Sequence, residues 1–527
     1  MKYIEGNDRS QIALIPTSLD AAIDQDNEVR IIDLFVDSLD LEEMKFRLDF
    51  VENGRPAYHP SDLLKLFMYG YLNKVRSSRD LEKECHRNLE VMWLLKSLSP
   101  DHNTISNFRR DNKTAIKNVF KATVQIAKNF DLIGGKLIAG DSTKLRAQNS
   151  KKNNYNEKKI KRHIQYIDHK LSEYNEQLSQ GDDKAGTEST QNNKEVIKQK
   201  IEDYTKRKDN YNKLSEKLIE TGQTQISTSD PDSRNIMIRN NISEVAYSVQ
   251  TTVDAKNNIP IDYKLTNTND TSAMGFMLER AVEILGHNKF TAVYDKGYHN
   301  GKELKRADKL GIKTIVAIPK LASSSRAPDV NYNVQFFSYS EKNDSYTCPE
   351  GEVLTSFGTW FKGKNAKFKQ YRTKACLSCE AKLKCSTADR GKVISRSEYQ
   401  PYYQKNKKLN EQNHDLYKQR KSIVEHPYGT IKRQWGFSYI ITKRGIDKAA
   451  ADVGLMFTAY NFKRLINIIG KQTITEYLRI LVSLFLTLKR LLITKIKWFK
   501  VSYFQNQINL LFTTNSVNQL KFTTYYK

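Results

Sequence analysis

Three carboxylates stand where acidic side chains do chemistry. Glu425 lies in Lys421-Ser422-Ile423-Val424-Glu425-His426-Pro427-Tyr428-Gly429-Thr430-Ile431-Lys432-Arg433, one acid among basic residues and beside two apolar, core-facing positions. A carboxylate in that setting either balances positive charge or holds a hard cation against a phosphate. Its candidate partners lie far upstream: Asp141 in Leu137-Ile138-Ala139-Gly140-Asp141-Ser142-Thr143, and Asp295 in Ala292-Val293-Tyr294-Asp295-Lys296-Gly297-Tyr298. Two Asp residues on strands of one sheet can approach closely, and their repulsion is costly unless a cation joins them. Oxygen-only ligands suit Mg²⁺ or Mn²⁺. Such ions can activate a water or a 3′-hydroxyl and stabilise the leaving oxygen of a phosphodiester. Singly, each Asp reads equally well as a turn or cap residue; the trio in this strand order favours catalysis.

The elements that must position these acids alternate strand and helix. Gly134-Gly135 ends a helical region, and Lys136 to Asp141 reads as a strand. A second strand, Val245 to Val253, turns at Asp254-Ala255-Lys256-Asn257-Asn258 into Ile259 to Leu265, a hairpin pattern. A helix over Ser272 to Leu285, a strand over Phe290 to Tyr294, a helix over Glu303 to Leu310 and a strand over Thr314 to Ile318 follow. This order predicts an α/β domain with a mixed sheet, in which sites gather where strand ends open onto loops. Between the first two strands, 149–222 is rich in Lys, Asn, Gln and Glu, with Ile160, Ile164, Ile167 and Leu171 at three- and four-residue steps. That period predicts a helical hairpin or coiled-coil insertion, with Gly181 to Gly186 as its tip. Asp295 and Glu425 are 130 positions apart, which implies an inserted subdomain over 321–420. Pro427 restricts His426 to extended shapes, so Glu425 is expected at a kink or just ahead of a helix.

The inserted region holds Cys348, Cys376, Cys379 and Cys385. Cys348-Pro349-Glu350-Gly351 looks like a zinc-ribbon knuckle and Cys376-Leu377-Ser378-Cys379 supplies a Cys-x2-Cys pair. A structural zinc and four unmetallated thiols both remain open; a catalytic zinc is disfavoured because no His sits among them. Cys85 reads as a small buried residue.

Residues up to about 130 read as helices. Starts are expected at Pro60-Ser61-Asp62, at Ser77-Ser78-Arg79-Asp80, and at Ser99-Pro100-Asp101 with Pro100 in the first helical position. Short helices bearing Arg109 and Arg110 fit a helix-turn-helix DNA reader as well as a plain bundle with a basic face. With 86 Lys+Arg against 60 Asp+Glu, the net charge is +26. Such an excess favours a polyanionic partner, nucleic acid first, over a merely basic surface. The opening residues show no apolar signal segment, and the run Ile480 to Leu488 is too short to span a bilayer, so a cytoplasmic, nucleoid-associated protein is expected.

From about Pro60 to Gly470 the chain resembles bacterial insertion-sequence transposases of the DDE type. The matching segments are Pro60-Ser61-Asp62-Leu63-Leu64, Arg76-Ser77-Ser78-Arg79, Pro100 to Ser106, Gly140-Asp141-Ser142-Thr143-Lys144, Asp230-Pro231-Asp232-Ser233-Arg234, Asp295-Lys296-Gly297-Tyr298 and Val424 to Arg433. The resemblance implies a ribonuclease-H-like mixed sheet flanked by helices, over 131–320 and 421–470, after an all-α DNA-binding domain over 1–130. It leaves 471–527 as a basic apolar tail without a role. It implies Asp141, Asp295 and Glu425 as catalytic metal ligands for Mg²⁺ or Mn²⁺, acting on double-stranded DNA at terminal inverted repeats and target sites. A homodimer is expected, since two ends must be held together. Related transposases surround the Glu with a Tyr, an Arg and a Lys; here Tyr417, Arg420 and Lys432 are candidates, with Lys421 competing for the Arg role. Lys432 and Arg433 are candidate phosphate contacts. A nuclease of the same fold without strand transfer, and a catalytically dead DNA-binding derivative, are the alternatives.

Overall fold

The structure, a computed structural model, describes residues 18–48, 56–182, 188–239, 242–320, 326–363, 365–442, 444–487 and 489. It divides into two compact units, Met1–Thr123 with Gly454–Lys527, and Val124–Val453.

The first unit is helical. Helices α1 (Glu28–Asp37), α2 (Pro60–Leu72), α3 (Ser78–Arg87), α4 (Leu89–Leu94), α5 (His102–Asp111) and α6 (Lys113–Asn129) follow one another. Helix α2 opens on Pro60 behind His59, whose ring accepts the Ser61 amide. Pro60 fits there because the first helical N–H has no intrahelical partner. Ser77 caps α3 and Asp101 caps α5. Pro100 thus precedes the cap instead of occupying the first helical position. Helix α2 is apolar on all sides and buries Leu63, Leu64, Leu66, Phe67, Met68, Tyr69 and Tyr71. Its one cation, Lys65, is also buried, and its ammonium reaches Asp33 at 2.6 Å and Asp37 at 2.7 Å on α1. Two carboxylates offset the cost of burying that charge.

Arg109 lies in this interior as well, at 4% exposure. It donates to the Tyr71 hydroxyl at 3.2 Å and the Arg76 carbonyl at 3.0 Å, and stacks over the Phe67 ring. This corrects the expectation that Arg109 reads DNA, because a guanidinium committed to the core is withdrawn from the surface. Arg110 is exposed and pairs with Asp111.

The second unit is built on a mixed sheet. Its elements are β1 (Leu137–Arg146), β2 (Asn154–Tyr155), α7 (Glu157–Asp182), α8 (Glu188–Thr221), β3 (Ile226–Ser227), β4 (Arg234–Arg239), β5 (Ile242–Asp254), β6 (Ile259–Thr266), α9 (Met274–Leu285), β7 (Thr291–Tyr294), α10 (Gly301–Lys309) and β8 (Lys313–Val316). The strand order is β4-β5-β1-β7-β8. The first half of β5 pairs with β4 and the second half with β6. Strand β1 runs antiparallel to β5 and parallel to β7, which is parallel to β8. The mixed α/β architecture is as expected. Helices α7 and α8 form a hairpin whose base packs Ile160, Leu218 and Ile226, and whose His163 and Tyr211 rings stack at 4.9 Å. Its expected tip falls largely outside the described residues.

The cysteine-bearing segment folds as two three-stranded sheets, β9 (Ser338–Ser340), β10 (Ser345–Thr347) and β11 (Val353–Thr355), and β12 (Phe361–Lys362), β13 (Lys367–Tyr371) and β14 (Ile394–Ser397), with the one-turn α11 (Lys382–Cys385) between β13 and β14. Then come α12 (Gln400–Gln412), α13 (His414–Tyr428), a π-turn Gly429–Gln434 and α14 (Ile446–Ile469). The Asp230-Pro231-Asp232 segment is a clasp: Asp230 accepts from Tyr247 and the Gly445 amide, and Asp232 accepts the Ile446 amide that opens α14. Among the described residues no helix is long and apolar enough to cross a membrane.

Replacing Arg109 with Leu should cost the helical unit about 2–3 kcal/mol, read as a lower urea midpoint by circular dichroism. Arg110→Ala should leave the midpoint unchanged; equal effects of the two would contradict this placement.

Candidate active site

Backbone register brings the first two acids together. Gly140 on β1 pairs with Tyr294 on β7, so Asp141 and Asp295 are the next residues along two parallel neighbours. Gly140 is required by the close approach of the strands: a Cβ there would lie 1.9 Å from the Tyr294 ring. Asp295 leaves the strand as the cap of a short turn, accepting the Gly297 amide at 2.8 Å. Asp141 accepts the Ser142 amide at 2.7 Å.

Helix α13 closes one face of this sheet. Its Ile423 and Val424 join Ala139, Val253, Val293 and Ile315 in a buried cluster. Because Asp141 follows Ala139 by two positions, it points to the same face. Arg420, one turn before Val424, reaches it: the guanidinium donates to Asp141 at 3.0 Å, with 16% and 22% of the two side chains exposed. Asp295 also feels that charge. Tyr428, at the helix end, donates to the Asp141 carbonyl at 3.2 Å and is hydrogen-bonded to Thr251. A guanidinium thus sits against one acid and within range of the other.

Glu425 lies inside α13, and the helix runs on through Pro427. The expected kink at Glu425 is absent for two reasons. Pro427 sits in the last turn, where it forfeits a single backbone bond. The chain then widens into the π-turn, with the Trp435 amide bonded to the Thr430 carbonyl five residues back. Packing of Ile423 and Val424 on the sheet outweighs the local preference of His426. The Glu425 side chain is 64% exposed, with Lys421 at 3.9 Å. Among the described residues no three His, Cys, Asp or Glu side chains are arranged to hold a metal ion together. The structure therefore joins Asp141 with Asp295, and leaves Glu425 on the covering helix.

The basic candidates divide. Lys432 donates to Thr143 at 2.9 Å and to the Lys144 carbonyl at 3.1 Å, tying the π-turn to β1. Lys421 and Arg433 are exposed. Cys348, Cys376, Cys379 and Cys385 line one cavity of about 30 Å³ and are half-buried free thiols. Burial pushes the Cys385 thiol up, and the other three cysteines push it further, against the pull of Lys392.

Asp270 went unnoticed in the sequence. It sits between β6 and α9, and both carboxylate oxygens accept from Lys144, at 2.9 and 3.1 Å. The signal available was Lys144 itself, an alternating strand position close to Asp141 that calls for a counter-charge.

Burial drives the Asp141 carboxyl up to about 6; Arg420 and the Ser142 amide pull it back, and Asp295 adds to the rise. The folded protein therefore keeps a proton that the unfolded chain, at the ordinary 3.8, has lost. The contribution of Asp141 to stability is greatest below that ordinary value and falls as pH rises through about 4 to about 6. Unfolding measured across this window should show a downward slope that Asp141→Asn lacks; identical slopes would contradict the assignment.

Comparison with known proteins agrees with this chemistry. Residues 17–111 match the family described as Transposase domain (DUF772). Residues 347–466 match the family described as Transposase DDE domain, a stretch that includes the four clustered cysteines and Glu425 but neither Asp141 nor Asp295. No curated protein matches the chain. A cryo-EM structure of piggyBac transposase synaptic complex with hairpin DNA aligns at 11% identity over 86% of this chain and 77% of that one, with a TM-score of 0.26. The DDE domain implies a divalent metal and an enzyme that cleaves DNA and transfers strands. With one transposase domain in its N-terminal helices and a second over Glu425, the chain belongs to the DDE-type transposases.

Proposed function

We propose that this transposase mobilises a bacterial insertion sequence, cutting at the element's ends and joining them to target DNA, with Asp141, Asp295 and Glu425 as metal ligands. The observation that carries the reading is the register of β1 and β7, which sets Asp141 beside Asp295. The donor set fits a hard divalent cation such as Mg²⁺ or Mn²⁺: it is oxygen only, and the two acids already share a cationic neighbour in Arg420. A divalent ion bound there supplies charge to offset the developing negative charge on the phosphodiester and to lower the pKa of the attacking hydroxyl. Asp141 and Asp295 bind, and Glu425 is the third ligand offered by the covering helix. Arg420, once displaced from Asp141, becomes a phosphate-binding guanidinium beside the site.

A ribonuclease-H-like core is supported by three antiparallel strands, β6-β5-β1, continued by the parallel pair β7-β8. For DNA contacts we propose Lys421, Arg433, Lys432 and Arg420 near the site, and Arg110 in the helical unit. A homodimer bound to DNA follows from the need to hold two ends. For the cysteines we propose a structural Zn²⁺. Four thiols around one small cavity, in a segment whose sheets have strands of two to five residues, are the kind of minimal core that a metal staples.

The direct test is purified protein, Mg²⁺ and a plasmid carrying the parent element's ends. Cleavage at the ends with joined products is expected, falling by at least about a thousandfold in Asp141→Ala, Asp295→Ala and Glu425→Ala. Cleavage without joining would make the protein a nuclease, and binding without cleavage under any metal would remove the enzymatic reading. For the cysteines, metal analysis should find about one zinc per chain, lost in Cys376→Ser/Cys379→Ser. Metal-free protein with four freely reactive thiols would refute it.

A further inference from the structure

One buried ion pair touches the strands and turn that carry both aspartates and has no part in the reading above. The Lys144 ammonium donates to Asp270, to the Ser142 hydroxyl at 2.7 Å and to the Ser248 hydroxyl at 2.8 Å. Its side chain is 15% exposed and that of Asp270 is 24% exposed. Asp270 also accepts from Gln250 at 2.8 Å, and Gln250 in turn accepts from the buried Tyr298 hydroxyl at 2.5 Å. Tyr298 ends the short turn that Asp295 caps. On its other side Asp270 faces the same turn: a Cβ placed on Gly297 would lie 3.0 Å from the Asp295 carboxylate and 3.8 Å from that of Asp270. A continuous polar chain therefore runs from Ser142, next to Asp141, through Lys144, Asp270 and Gln250 to Tyr298, three residues after Asp295.

We infer that Asp270 and Lys144 are a positioning pair that holds Asp141 and Asp295 at the separation a divalent cation requires. The inference rests on the proposed role of those two aspartates. The pair works in two ways. It ties β1 to the turn after β7, which backbone pairing leaves free beyond Tyr294. It also neutralises Lys144, whose ammonium lies two residues from Asp141 and, without Asp270, would compete with a metal ion for that carboxylate. Groups that orient ligands without touching the ion typically change metal affinity by about 10–100-fold.

The test is Mn²⁺ binding to the full chain without DNA, followed by loss of the free-ion electron paramagnetic resonance signal. Asp141→Asn should abolish binding; wild-type binding in that variant would overturn the site reading itself. Given that loss, Asp270→Asn should weaken Mn²⁺ by about tenfold or more. Lys144→Met/Asp270→Leu, which removes the pair without leaving a loose ammonium, should recover most of the affinity. A lesion of folding alone would not be repaired by a second substitution of this kind. Gln250→Met cuts the same chain without changing charge and should weaken binding several-fold, which keeps the test open if Asp270→Asn does not fold. Wild-type affinity in both Asp270→Asn and Gln250→Met, or a double variant no better than Asp270→Asn, would overturn the positioning role while leaving the site reading intact.

Discussion

Two carboxylates on adjacent parallel strands cannot both stay charged unless a cation stands with them, and the sheet-bearing unit is organised around that constraint. Register fixes Asp141 beside Asp295, and Gly140 lets the strands approach closely enough for it. Helix α13 then brings Arg420 to the pair. The hydrophobic contacts of Ile423 and Val424 are what place the guanidinium, so the electrostatics of the site depend on the core beneath it. Arg420 holds the charge balance of the folded protein in a form that a divalent ion can replace, since both interact chiefly through charge.

A second layer of charge surrounds the first. Lys144 and Asp270 neutralise each other, Lys432 is held by Thr143 and the Lys144 carbonyl, and Tyr428 fastens the helix end to the Asp141 carbonyl. Strand β1 is therefore gripped along Asp141 to Lys144 by side chains from its neighbouring strand, from the turn ahead of α9, and from the π-turn after α13. A site that must withstand the arrival of a polyanion and an ion needs its ligands fixed by neighbours, because small misplacements in a reactive geometry are expensive.

Much of this was legible in the sequence. Apolar runs bounded by Gly and Asn marked β1, β5, β6, β7 and β8 in the right order, and the four-residue rhythm from Ile160 onward marked the helical hairpin. The edge strand β4 was missed because Arg234 to Arg239 is too polar to stand out, and Met237 is left exposed. Arg109 was misread because its charge suggested a surface, although it follows the buried Ile105 by four positions on the same helix face. Pro427 argued locally against a helix and lost to the packing of α13 on the sheet. Asp270 was invisible because its meaning lies in Lys144, which only the folded chain brings near.

The central claim is that Asp141 and Asp295 form the cation site that Arg420 guards. Anomalous diffraction from crystals of the full chain grown with Mn²⁺ tests it most directly. The account predicts a manganese peak between the two carboxylates with Arg420 moved off Asp141; manganese bound only elsewhere, with the Arg420–Asp141 contact intact, would contradict it.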